Sequence, residues 1–133
     1  MGGMSHHRET VTAPGAPDAV GPYVHAVKAG GLLFISGQIP LDPATNELVG
    51  DTASDQARQC LENLGAIAAA AGTDLGQSVK CTVLLTSMDD FASVNDVYGG
   101  YFTGDPPARV AYAVTALPKG AQVEIDAVIA LPE

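Results

Sequence analysis

Between Thr52 and Ala71, apolar residues recur at three- and four-residue spacing: Ala57, Cys60, Leu61, Leu64, Ile67, Ala68 and Ala71. That period predicts an amphipathic helix. Asp51 or Thr52 can cap its N-terminus, and Gly72 stands where a helix exit favours positive φ. A second helix is expected over Phe91–Phe102, where Phe91, Val94, Tyr98 and Tyr101 form one stripe behind the capping candidates Asp89 and Asp90. Gly104-Asp105-Pro106-Pro107 ends it. Elsewhere the period falls to two. Val79–Leu85 puts Val79, Cys81, Val83 and Leu85 on one face of a strand. Arg109–Thr115 separates Val110, Tyr112 and Val114 from Arg109, Ala111 and Ala113. Ala121–Ile129 separates Val123, Ile125, Ala127 and Ile129 from Gln122, Glu124 and Asp126. Strands over Tyr23–Ala29 and Leu32–Ser36 flank Gly30-Gly31, a hairpin signal because primed turns need positive φ. A short extra strand is expected near Thr10–Thr12, with loops at Ala13–Gly21, Pro40–Gly50 and Leu117–Gly120.

The order β-β-α-β-α-β-β predicts an α+β fold: a mostly antiparallel sheet with both helices on one face. The last strands carry small and apolar residues on both sides, more than a wet face needs. Self-association is therefore expected to bury the second face.

The 133 residues allow one ordinary domain, expected over residues 10–133, with residues 1–9 as a disordered leader. At 47% hydrophobic the chain can build a core without disulfide or metal staples. Six Lys+Arg against 15 Asp+Glu give a formal charge of −9, which argues against nucleic acid and anionic membranes as partners. No apolar run reaches the length of a membrane span, and the leader lacks the apolar core of a secretory signal. Cys60 and Cys81 sit at apolar positions of their elements, so buried reduced thiols and a cytoplasmic location are expected.

Candidate chemistry is sparse. The only histidines are His6, His7 and His25, and no zinc-type spacing or phosphate-binding glycine loop occurs; neither a metal nor a cofactor is expected. His25 reads as a strand residue rather than a pocket acid. Of three arginines, Arg109 opens a strand of Val, Ala and Tyr, with empty space expected beside Ala111 and Ala113. Such a guanidinium can grip a carboxylate with two parallel hydrogen bonds; it can equally be a strand-end group in a salt bridge or in solvent. Glu124 is a candidate water-activating carboxylate, or one member of a solvated strand face. If the two terminal strands pair as a hairpin, Arg109 and Glu124 share one site.

Several words recur in a familiar order: Gly21-Pro22-Tyr23, Ser36-Gly37-Gln38-Ile39-Pro40-Leu41-Asp42-Pro43, Gln59-Cys60-Leu61-Glu62-Asn63-Leu64, Val94-Asn95-Asp96-Val97-Tyr98, Pro107-Ala108-Arg109, and Leu117-Pro118-Lys119 with Val123-Glu124-Ile125. Together they resemble the RidA/YjgF/UK114 family over nearly the whole domain. The resemblance implies a chorismate-mutase-like fold with a six-stranded sheet, assembled as a homotrimer with ligand sites between subunits. It also implies hydrolysis of reactive 2-imino and enamino acids to 2-keto acids and ammonia. By motif, Arg109 holds the substrate carboxylate and Glu124 positions or activates water. Tyr23, Ser36 and Asn95 line the pocket, and backbone N–H groups near Gly37 and Ala111 add donors. Val24-His25 and Val110-Ala111 depart from the common family pattern without touching Arg109 or Glu124. Two alternatives accompany this reading: a non-catalytic module binding small carboxylates, and the family's older label of ribonuclease or translation inhibitor, which the acidic charge makes awkward.

Overall fold

The computed structural model describes residues 7–133. Residues 1–6 of the expected leader lie outside the described residues. Glu9 already belongs to the first strand. Six strands form one sheet: β1 (Glu9–Val11), β2 (Ala26–Ala29), β3 (Leu32–Gln38), β4 (Ser78–Leu85), β5 (Ala108–Ala113) and β6 (Val123–Ala130). Their spatial order is β1-β2-β3-β6-β4-β5. Every neighbouring pair is antiparallel except β4 and β5, which run parallel. The helices are α1 (Ala53–Ala70) and α2 (Phe91–Gly100). This is the α+β architecture that the order of periods predicts.

The α1 stripe is the centre of the core. Leu61, Leu64 and Ile67 are fully buried against Leu33 of β3 and Val123, Ile125 and Ile129 of β6. Each such side chain contributes about 1.5–3 kcal/mol relative to exposure. Thr52 Oγ1 accepts the Asp55 N–H at 3.1 Å, so the cap is Thr52 rather than Asp51. Gly72 takes φ 88° just past the end. Cys60 and Cys81 are buried and unbridged. Burial pushes the Cys60 thiol far up, which makes it inert as a nucleophile. Among the described residues no helix is long and apolar enough to cross a membrane.

Four local expectations need correction. Val79 does not share the buried face of Cys81, Val83 and Leu85: the register with β6 shifts between Ser78 and Lys80, and Val79 is exposed. A bulge turns the strand over at that point. Neither Asp89 nor Asp90 caps α2 with its side chain; Ser87 Oγ instead accepts the Asp89 N–H in a short 3-10 turn ahead of the helix. His25 precedes β2 instead of lying within it, because Tyr23–His25 belongs to the loop. Finally, β5 and β6 do not form a hairpin. The β4–α2–β5 connection is a crossover, which returns β5 parallel to β4 and leaves it at the sheet edge. The chain then rounds the end of β4 through a 3-10 turn at Pro118–Gly120, where Thr86 N–H binds Gln122 O, and enters β6 on the other side.

Candidate functional site

Glu124 projects from β6 on the face turned away from the helices. Its sheet partner is Leu84, one step out of phase with the buried Val83 and Leu85. Next to it, β3 carries a bulge. Ile35 faces Ala127 and Gln38 faces Ile125, so β3 spends one more residue than β6 over the same span. The extra length is Ser36-Gly37, and it bends β3 beside the Glu124 carboxyl. A Cβ on Gly37 would fall on Glu124 Oε2 and within 3.0 Å of Cδ, so the carboxyl packs directly over the glycine. Above these residues opens a cavity of about 340 Å³ lined by Val20, Tyr23, Ser36, Gly37, Ile39, Pro118 and Glu124.

The loop wall of this cavity is pinned by His25. Its Nδ1 accepts the Ala13 N–H at 2.8 Å and its Nε2 donates to Pro17 O at 2.7 Å, which fixes the Nε2–H tautomer. Ser36 Oγ donates to Val24 O at 2.7 Å, so towards a ligand that oxygen can only accept. Tyr23 Oη accepts the Val20 N–H at 3.2 Å, and the ring is 43% exposed at the cavity mouth. Half-burial first, and the neighbouring Asp126 charge second, raise the Glu124 pKa from its ordinary value. Among the described residues no basic side chain forms an ion pair with it.

Arg109 lies on the opposite side of the sheet. Its partner across β4 is Cys81, whose side chain faces the helices. The expected empty space beside Ala111 is filled by α2. The guanidinium carbon stands 4.9 Å from the Tyr98 ring centre and 5.6 Å from that of Phe91. Asn95 Oδ1 accepts from Arg109 Nη1 at 2.7 Å. Ala111 packs partly buried against the core, with β5 offering one unpaired edge.

The expected site residues thus fall into two groups within one chain. Tyr23, Ser36, Gly37 and Glu124 surround the cavity, whereas Asn95, Arg109 and Ala111 lie along the β5–α2 edge. The outward sheet face between these groups has polar Thr82 and Asp126 at its middle and large apolar side chains towards its flanks. Phe34, Val110 and Tyr112 are 45%, 42% and 53% exposed there, a high value for large apolar side chains.

A family model described as endoribonuclease L-PSP matches residues 13–131. The chain belongs to the endoribonuclease L-PSP family, the RidA/YjgF family of its motifs. The RutC family protein y4sK of Sinorhizobium fredii is 59% identical over 92% of this chain and 98% of its own length. The 2-iminobutanoate/2-iminopropanoate deaminase of Mus musculus is 48% identical, with coverage of 91% and 90%. Among solved structures, E. coli TdcF with bound serine superposes with a TM-score of 0.87 at 40% identity, covering 93% of this chain and 99% of that one.

Within this RidA-family chain the residues that sequence reasoning passed over are those that look like core or turn. Phe91 and Tyr98 belong to an ordinary helical stripe, and nothing in their spacing shows that Arg109 rests against them. Val20, Ile39 and Pro118 are cavity lining supplied by loops. Ile39, Tyr98 and Pro118 do stand inside the family words, which is the one available signal.

Proposed function

We propose that the protein is a cofactor-independent deaminase of reactive 2-imino and enamino acids, such as 2-iminopropanoate and 2-iminobutanoate, releasing 2-keto acids and ammonia. The observation that carries this reading is the Glu124 carboxyl: half-buried, raised in pKa, without an ion-pair partner among the described residues, and facing an open cavity. A half-buried carboxyl held above its ordinary pKa is a better proton acceptor towards a bound water than an exposed one. Relatives at 46–48% identity that bear the deaminase name support the same chemistry.

In this reading a homotrimer brings the β5 edge of one copy to the Glu124 cavity of the next, burying Phe34, Val110 and Tyr112. Arg109 spends one N–H on Asn95 and keeps the rest of its fork for the substrate carboxylate. That grip fixes the adjacent C=N carbon, largely a positioning effect. From the protonated imine, C=NH2+, Glu124 takes a proton from water as the oxygen adds to carbon, giving a neutral carbinolamine. It passes that proton to nitrogen, takes the hydroxyl proton as the C=O forms and the C–N bond breaks, and yields it to the departing ammonia, which leaves as ammonium. Tyr23, Ser36 and Asn95 shape the pocket, with backbone N–H groups near Gly37 and Ala111 as further donors. The substrate is already electrophilic, so neither a metal nor a covalent nucleophile is needed.

A binding-only role is the second reading, favoured by the serine bound in E. coli TdcF. It requires saturable binding of 2-ketobutyrate without turnover. Ribonuclease activity, which the family description names, fits poorly with a formal charge of −9. The test is 2-keto acid formation from freshly generated 2-iminopropanoate, beside Arg109→Ala. Wild type is expected to exceed the buffer rate and Arg109→Ala to fall by about 10²-fold with assembly intact. A wild-type rate equal to buffer overturns the deaminase reading.

A further inference from the structure

We propose that Tyr98 and Phe91 are positioning residues for Arg109, two neutral ring faces on α2 that hold the guanidinium in place while leaving its charge for the ligand. The inference rests on the reading of Arg109 as the carboxylate-binding group and adds what makes that group competent.

Phe91, Asn95 and Tyr98 are spaced i, i+4 and i+7, so successive turns of α2 present them on one face. Together they meet Arg109: a ring at 5.6 Å, an amide oxygen at 2.7 Å and a ring at 4.9 Å. An arginine that must bind an anion poses a design conflict. Left free, its long side chain loses rotamer freedom on every binding event. Anchored by a carboxylate, it is ordered but already neutralised, and the ligand must compete. Aromatic faces and a neutral amide avoid both problems, because ring quadrupoles attract the cation without cancelling its charge. Among the described residues no Asp or Glu forms an ion pair with Arg109.

The Tyr98 ring is itself fixed. It is 6% exposed and tilted against Phe102 with ring centres 4.7 Å apart. Among the described residues its buried hydroxyl has no hydrogen bond within ordinary limits, only a weak contact with the neighbouring Cys81 thiol. Burial pushes its pKa up, so the ring stays a neutral phenol. A buried hydroxyl with only a weak thiol contact adds little to folding, so Phe should serve as well as Tyr. The ring face, rather than the oxygen, is what Arg109 uses.

The test compares Tyr98→Phe, Tyr98→Leu and Phe91→Leu, with Phe91→Leu as the safeguard should Tyr98→Leu fail to fold. The first readout is the side-chain NMR signal of the Arg109 guanidinium in ligand-free protein, assignable because the chain has only three arginines, Arg8, Arg58 and Arg109. Wild type and Tyr98→Phe should show slow guanidinium rotation and ring-shifted resonances; both leucine variants should lose them. The second readout is kinetic and uses 2-iminopropanoate, with 2-ketobutyrate as the non-reacting ligand. Tyr98→Leu should raise KM and the 2-ketobutyrate Kd by about tenfold, with a smaller change in kcat, while Tyr98→Phe stays within about twofold. Wild-type guanidinium signals in the leucine variants overturn the proposal, whatever the kinetics. Lost signals in a protein whose wild type has no turnover leave the positioning role standing and remove only the deaminase reading.

Discussion

Arg109 and Glu124 point from opposite faces of one sheet. Arg109 pairs with the inward Cys81 and Glu124 with the outward Leu84, and β4 separates their strands. A site that uses both groups cannot close within a single chain. If this protein is a deaminase working through this pair, its assembly is part of its chemistry, and the predictions below follow from that requirement.

The outward face should be an interface. Replacing Tyr112 by Asp places a charge where apolar contact is needed, and burying an unpaired charge is costly. Size-exclusion with light scattering should give three times the 13.5 kDa chain mass for wild type and one chain for Tyr112→Asp, with unchanged circular dichroism. A wild-type monomer at micromolar concentration contradicts the trimeric site.

Gly37 should matter for space rather than backbone freedom, because its Cβ position is occupied by the Glu124 carboxyl. That carboxyl is the far end of a flexible side chain, so it can swing aside. Gly37→Ala should therefore fold and assemble, yet lose about tenfold or more in kcat through misplacement of Glu124. Full activity in Gly37→Ala separates Glu124 from the reaction.

The acid limb of the pH profile should report Glu124. Its pKa is raised by burial and by Asp126, so activity that needs the carboxylate should decline on acidification while ordinary carboxylates are still ionised. Asp126→Asn removes the second cause and keeps an oxygen for the Thr82 N–H, so the limb should move to lower pH. Linkage gives the sign for stability. A carboxyl whose folded pKa exceeds its unfolded value binds more protons in the folded state, so its contribution is present below the unfolded pKa and is lost as pH rises through the folded pKa. Glu124→Gln should thus gain stability over wild type at neutral pH and lose that gain in acid, as seen in urea midpoints across pH. An unmoved limb in Asp126→Asn dissociates it from this carboxyl.

His25 should be a clasp. His25→Ala leaves the buried Ala13 N–H and Pro17 C=O without partners, at a cost of about 1–3 kcal/mol each. Urea denaturation should show that loss, together with faster amide exchange in residues 13–23. An unchanged midpoint would mean that water replaces the ring without penalty.

Much of this arrangement is legible in the residues, and the limits have physical causes. The α1 period, the Asp51-Thr52 cap candidates and Gly72 define the helix to within a residue, because caps and stripe are local signals, while only the structure selects Thr52. Gly30 and Gly31 mark their hairpin equally well, with φ 59° and 78°. Registers are different. Nothing local to β5 says that it pairs in parallel with β4, since that depends on where α2 delivers the chain. The same ignorance made a β5–β6 hairpin attractive and would have put Arg109 beside Glu124. The β3 bulge is hidden for a similar reason: Ser36-Gly37-Gln38 shows a glycine, but only the Ala127–Ile125 spacing across the sheet reveals the extra residue. Arg109 and Glu124 stand out by residue type and family words, whereas Phe91 and Tyr98 share a helical stripe that reads as core, although Tyr98 closes a family word.

The most direct examination of the shared site is subunit complementation. Arg109→Ala and Glu124→Gln proteins, each strongly impaired alone, are unfolded together in equal amounts, refolded, and assayed with 2-iminopropanoate. Random reassembly puts an intact Arg109 against an intact Glu124 of a neighbour at about a quarter of the interfaces. The expected result is recovery of about that fraction of wild-type activity, well above the low residual rate of either variant refolded by itself. A mixture no more active than its two components would show that both groups act within one chain or not at all.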